Sequence, residues 1–250
     1  MQSARCCLFL DVFTMHSGKR TEKSRATLVL QWLSVIAASS VGCAPALAKS
    51  HAALVISSPG VSQTTADASA MSAQATQVHA WIVQSANSQG MPFVIIDKKA
   101  TQLHVFNAGG ALTASSPVLL GLAVGDQSIP GIGERKMSEI QPHERTTPAG
   151  RFVSEPGKNL GGEDIVWIEY DTAISMHRVR ANNASERRLQ RLASPTASDN
   201  RISYGCVNVP ARFYNRYVAP YWSQRAGVIY VLPETQSASS FFGFDPVAYP

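Results

Sequence analysis

The sequence predicts a mainly β domain, a β-rich α+β fold with a few short helices, and three features point to it. Short apolar runs rich in Val, Ile and Phe recur between turn signals. Helical periodicity is confined to brief stretches. Once an export-like N-terminus is set aside, about 200 residues remain, enough for one domain with a sizeable core.

Residues 1–48 differ in character from the rest. Lys19, Arg20, Lys23 and Arg25 form a basic patch ahead of an apolar stretch from Ala26 to Val41. Ala46 and Ala48 then match the small-x-small pattern of signal peptidase. Gln31, Ser34, Ser39 and Ser40 interrupt the stretch, which falls short of the about 18 to 20 apolar residues a span needs. A cleaved signal peptide and an exported, periplasmic protein with no stable membrane span are therefore expected. An uncleaved anchor, or lipidation at Cys43, is the weaker alternative, since Ser40 is a poor residue three places before such a cysteine. Met15 offers an alternative start. Residues 1–48 hold 5 of the 22 Lys and Arg and 2 of the 17 Asp and Glu, so the remainder carries 17 against 15, a net +2. The high pI belongs largely to the signal, and no nucleic-acid partner is implied.

Residues 49–75, rich in Ala, Ser, Thr and Gln, read as a flexible leader. A helix follows from Ala75 to Ser88, with Val78, Trp81, Ile82 and Ala86 at helical spacing and Gly90 ending the element. Phe93 to Asp97 is a short apolar run that suits a buried strand. Leu103 to Asn107 is a second strand, and Asn107-Ala108-Gly109-Gly110 turns the chain into a third around Leu112 to Leu120. These hairpin-linked strands suggest an antiparallel sheet. Gly121 to Pro148, punctuated by glycine and proline, reads as an irregular functional flap. Strands resume at Gly150 to Val153, Ile165 to Tyr170 and Ile174 to His177. A short helix capped by Ser185 reaches Leu192, a helical stretch runs from Pro210 to Tyr221, and Gly227 to Leu232 closes the sheet. The catalytic-type domain is expected over 76–235, with 236–250 as a C-terminal tail whose Phe241, Phe242 and Phe244 pack on their own domain.

After signal removal Cys206 is the one cysteine left, in the run Ser203-Tyr204-Gly205-Cys206-Val207-Asn208. A lone thiol in an oxidising compartment cannot form an internal disulfide, and directly after a glycine it reads as a nucleophile. A thiol attacks as thiolate and needs a base or a depressed pKa. Gly205 permits a sharp turn, and the amides of Gly205 and Cys206 are candidates for an oxyanion site. The base has five candidates in the mature chain: His51, His79, His104, His143 and His177. His177 ends a strand and is the best placed of them.

Thr147-Pro148-Ala149-Gly150, then His177, then Ser203-Tyr204-Gly205-Cys206-Val207-Asn208 resemble the L,D-transpeptidase (YkuD) catalytic domain over roughly residues 92–233. That family carries a Thr-Pro-x-Gly segment, a strand-closing histidine and a Ser-His-Gly-Cys core followed by Val or Ile and Arg or Asn. The resemblance implies an L,D-transpeptidase-like β-sandwich or barrel, cysteine acyl transfer on peptidoglycan stem peptides, and sensitivity to carbapenem-type β-lactams. It makes Cys206 the nucleophile and His177 the general base and acid, oriented by the backbone carbonyl of Arg178. Ser203, Gly205 and Asn208 shape the site. Tyr204 departs from the pattern, standing where most relatives have a second histidine. The stretch from His177 to Cys206 is also longer than usual. It holds a helix and, from Arg178 to Arg201, six arginines against Glu186 and Asp199.

Those arginines read as a solvated charged face. The sharper alternative makes Arg178, Arg187, Arg188 and Arg201, with Thr147, a substrate-binding set that holds stem-peptide carboxylates. Gly131-Ile132-Gly133 lacks the strand–helix setting of a dinucleotide loop and reads as a turn. No cofactor is implied, and no metal, because one cysteine and scattered histidines lack ligand spacing. Two rival functions keep the same residues: a hydrolase that uses water as acceptor, and a peptidoglycan-binding protein whose site has decayed.

Overall fold

The computed structural model describes residues 71–222 and 225–249. The expectations for the signal peptide, for Cys43 and for residues 49–70 of the leader lie outside the described residues. The strands are β1 Phe93–Asp97, β2 Gln102–Phe106, β3 Leu112–Pro117, β4 Leu120–Gly121, β5 Gly150–Lys158, β6 Asp164–Glu169, β7 Ile174–Arg178, β8 Arg201–Ser203, β9 Val207–Val209 and β10 Gly227–Val231. The helices are α1 Ala73–Gln84, α2 Arg188–Ala193, α3 Ala211–Phe213, α4 Ala219–Trp222 and α5 Ala238–Phe242, with a π-helical turn Tyr214–Val218 between α3 and α4. The fold is mainly β with short helices, as the apolar runs predict.

Eight strands form one sheet in the order β3-β2-β1-β10-β5-β6-β7-β9. The expected antiparallel sheet is in fact mixed, because β1 pairs in parallel with β10 and β7 in parallel with β9. The C-terminal strand slots in beside β1, so spatial order departs from chain order. Just after β3, Leu119 exchanges both backbone hydrogen bonds with Asn208 of β9, at 2.9 and 2.8 Å. That antiparallel bridge brings the two ends of the sheet together and nearly closes a barrel.

β1 and β10 read as unbroken apolar runs because both their faces are covered. Val94, Ile96, Ile229 and Val231 face the barrel interior with Val166, Met176, Val207 and Trp222. Phe93, Ile95, Val228 and Tyr230 face outward, under α1 and the C-terminal segment. Helix α1 buries Ala75, Val78, Trp81 and Ile82 there, and the Ser72 hydroxyl caps it by accepting from Ala75 N–H at 3.1 Å. Ala86 lies beyond the helix, in a left-handed turn. Phe242 and Phe244 stack on Trp81 with ring centres 5.6 and 5.0 Å apart, so the aromatic tail packs on its own domain.

Several local expectations change. Three 3-10 turns, Ile132–Glu134, Met137–Glu139 and Pro142–Glu144, shape the excursion from Gly121 to Pro148, and Gly131 turns it at φ +73°. The single helix expected from Ser185 is a 3-10 turn, Ala184–Glu186, then α2, broken where Arg187 takes φ +50°. Asn183, not Ser185, caps the turn, its Oδ1 accepting from Ser185 N–H at 3.1 Å. No helix among the described residues is long and apolar enough to cross a membrane.

Candidate active site

Alternation along β7 and β9 builds the site. Ile174 and Met176 point into the core, as do Val207 and Val209. In a strand the intervening side chains take the opposite face, so Ser175 and His177 share a face with Cys206 and Asn208. Register places His177 beside Asn208 and Met176 beside Val207. The same face continues onto β6, where Trp167 pairs with Ser175 and lies across Gly157 of β5.

The Gly205–Cys206 turn is held from three sides. Gly205 has φ +126°, and a Cβ there would lie 2.5 Å from Ile174 Cδ1 and 2.7 Å from the Thr146 carbonyl oxygen. Only glycine fits both the conformation and the space. The Ser203 hydroxyl donates to the Cys206 carbonyl at 2.6 Å and accepts from the Gly205 amide at 3.1 Å. The Gly205 amide is thus engaged inside the turn by the Ser203 hydroxyl. Thr147 crosses beneath: its hydroxyl donates to the Gly205 carbonyl and accepts from the Gly121 amide, each at 2.8 Å.

Cys206 is 9% exposed, with its Sγ 3.6 Å from Ser175 Oγ and 3.7 Å from the Ala173 carbonyl. His177 is 8% exposed, and its Nδ1 donates to the Arg178 carbonyl at 2.8 Å. A carbonyl only accepts, so Nδ1 carries the proton and Nε2 is the basic nitrogen. Asn208 Nδ2 lies 3.4 Å from that Nε2 and 3.3 Å from the Cys206 carbonyl oxygen.

The expected substrate-binding set disperses. Thr147 is fully buried on backbone partners. Arg178 turns away from the thiol to Asp164 and Asn215, with its guanidinium 4.4 Å from the Tyr214 ring. Arg201 is ion-paired to Glu234 and donates to the Lys98 carbonyl at 2.9 Å. Arg187 is exposed. Arg188 reaches the site, but its Nη1 donates to Asn208 Oδ1 at 2.5 Å. Thr147, Arg178 and Arg201 are thus drawn to a carboxylate, an amide or a carbonyl within the domain. Of the other histidines, His79 stacks on Phe106 and bonds the Gly110 carbonyl, while His104 is buried against Ser115. His143 is exposed, and His51 lies outside the described residues. Tyr204 is partly buried, with the Arg145 guanidinium 3.9 Å from its ring centre.

Sequence reading missed Ser175, Arg145 and Lys98. The alternation Ile174-Ser175-Met176-His177 carries the signal for Ser175. Lys98 is fully buried, and its Nζ donates to the Gly125 carbonyl (2.5 Å), Asp126 Oδ1 (2.8 Å) and the Thr147 carbonyl (2.9 Å). It therefore ties the start and the end of the 121–148 excursion to one point. Burial pulls the Lys98 pKa down against the pull of Asp126 and Glu234. Burial also pushes Asp126 upward, but the Lys98 ammonium, the Thr235 hydroxyl and two backbone amides outweigh it and hold the carboxyl at about 2. Among the described residues no group of three or more His, Cys, Asp or Glu gathers to hold a metal.

No protein-family model matches the sequence, and no curated protein matches it. Solved structures with some likeness include the catalytic domain of an L,D-transpeptidase from E. faecium, at 14% identity and TM-score 0.32, covering 56% of this chain and 96% of that one. The helical cell shape determining protein Pgp2 from Campylobacter jejuni is similar at 13% identity and TM-score 0.38, covering 59% of this chain and 49% of that one. A point variant of Pgp2 gives 11% identity and TM-score 0.39, covering 67% and 58%. This chain thus spans about half the length of the Pgp2 chains.

Proposed function

We propose that the protein is an exported, cysteine-dependent L,D-transpeptidase acting on peptidoglycan stem peptides. The observation that carries this reading is the shared face of β7 and β9, which presents Cys206 beside a histidine whose basic nitrogen is set by the Arg178 carbonyl. His177 Nε2 takes the thiol proton. The Cys206 sulfur attacks the carbonyl that joins the L-centre of the stem diamino acid to a terminal D-alanine, and the Cys206 amide is assigned to the developing oxyanion. The C–N bond breaks, D-alanine leaves with the proton from His177, and a thioester remains. An acceptor amine then attacks the thioester, gives up a proton to His177 and releases the thiolate. No acidic third residue is needed, because the Arg178 carbonyl does the orienting.

Intact-mass measurement with a carbapenem tests the site. An adduct is expected on the reduced protein and none on Cys206→Ala. No adduct on the reduced wild type would favour a binding protein with a decayed site. Incubation with a tetrapeptide-bearing muropeptide then separates the acceptors: cross-linked dimers mark transpeptidation, and D-alanine release alone marks the hydrolase.

A further inference from the structure

The segment between His177 and Cys206 does more than present a charged face to solvent. The 3-10 turn Ala184–Glu186 and α2 carry one side chain, Arg188, to the buried Asn208 of β9. We propose that Arg188 is a positioning residue that fixes the side-chain amide of Asn208 and thereby holds His177 as a neutral base. The inference rests on the reading of His177 as the general base.

An arginine has only donors, so the Asn208 oxygen must face Arg188 Nη1, 2.5 Å away. That contact settles the amide's orientation, which geometry alone often leaves open. The amide nitrogen is then turned to His177 Nε2 at 3.4 Å and to the Cys206 carbonyl at 3.3 Å. Asn208 is 1% exposed, so solvent cannot readily replace these partners. Protonating His177 on Nε2 would set an N–H against the amide NH2. The amide could respond only by turning over, which would aim its NH2 at the Arg188 guanidinium. Donor would oppose donor at one end or the other. Arg188 therefore disfavours imidazolium at rest and favours return of the proton to a leaving amine.

The charged groups around His177 agree with this assignment. From the covering segment come Arg188 and Glu186, whose Oε2 accepts from Arg188 Nε at 2.5 Å. That pairing leaves the guanidinium anchored while offsetting part of its charge. The Cys206 thiol comes from the turn before β9. Arg178 follows on β7, ion-paired to Asp164 of β6 and bonded to Asn215 near the π-helical turn. Arg191 steadies the segment by donating to the carbonyls of Glu186 and Asp199, at 2.9 and 2.8 Å.

The test follows the His177 ring directly, in 15N-labelled protein carrying Cys206→Ser so that the thiol does not titrate with it. Long-range imidazole spectra should show the neutral ring protonated on Nδ1. Arg188→Ala should raise the His177 titration midpoint by about one pH unit or less, the size of one hydrogen bond. Arg188→Gln, which can accept as well as donate, should behave like Arg188→Ala, while Arg188→Lys should lie nearer the parent. Adding Asn208→Ala should remove at least about half of the Arg188→Ala shift, leaving only the through-space effect of the charge. An unchanged midpoint in folded Arg188→Ala and Arg188→Gln would overturn the proposal, as would equal shifts with and without Asn208. Because no turnover is needed, this result stands apart from the carbapenem experiment, whose failure would remove the transpeptidase reading alone. In an enzyme with Cys206 intact, a positioning role lowers kcat, whereas a substrate-carboxylate clamp would raise KM at every pH with no effect on the ring.

Discussion

Gly205→Ala should damage this protein more than its small change in volume suggests. Two costs coincide at that position. A φ of +126° is a conformation side-chain-bearing residues rarely hold, costing about 1–3 kcal/mol. The new methyl would lie 2.5 Å from Ile174 Cδ1 and 2.7 Å from the Thr146 carbonyl oxygen, and such overpacking costs about another 1–3 kcal/mol. Together they amount to about 2–6 kcal/mol, a large share of the about 5–15 kcal/mol that holds a typical domain together. Gly162→Ala is the matched control, since Gly162 has φ +79° and nothing within 4 Å of an added methyl. It should lose only the conformational part, about 1–2 kcal/mol. Trimming the flexible neighbour with Ile174→Val should recover less than half of the Gly205→Ala loss. The Thr146 carbonyl is backbone, in a segment that Lys98 and Thr147 pin, and cannot withdraw. Urea unfolding of the four proteins measures each step. If Gly205→Ala costs no more than Gly162→Ala, the close approach of the 146–147 segment to the cysteine turn has been misread.

Two further predictions concern the supports of the site. Thr147→Val keeps the shape but strands the Gly121 amide and the Gly205 carbonyl in a fully buried place, so it should cost about 2–5 kcal/mol, while Thr147→Ser should stay within about 1.5 kcal/mol of the parent; equal urea midpoints for Val and Ser would refute the shared hydroxyl. Asp126 has a folded pKa of about 2, below its unfolded value, so its stabilising effect is complete above about pH 5 and is lost as pH falls toward 2. The parent should therefore lose about 2 kcal/mol more than Asp126→Asn between pH 5 and pH 2. Parallel stability curves over that window would contradict the ion pair with Lys98.

Much of the site is legible in the chain. The run Ile174-Ser175-Met176-His177 alternates with period two, so it places its polar residues on one face before any partner is known. The strand expected at Ile174 to His177 is present as β7, and the run at Phe93 to Asp97 is β1, buried on both faces. Strands β8 and β9 are three residues each, too short to leave a pattern, and neither was expected. Helix propensity likewise placed a helix near Ser185 but missed its break at Arg187, whose left-handed backbone no local signal announces.

Residue type and spacing are therefore enough to mark Cys206 and His177 as candidates and to give His177 its face in a strand, because alternation is a property of the local backbone. Tertiary structure alone decides which strands are neighbours and where long charged side chains end. β1 meets β10 across more than half the described chain, turning an apparently antiparallel sheet into a mixed one. Arg178, Arg188 and Arg201 look equivalent in sequence. One turns to Asp164, one orders Asn208 beside the histidine, and one is locked on Glu234. A guanidinium is long and rotatable, and its partner is set by what the fold brings within reach.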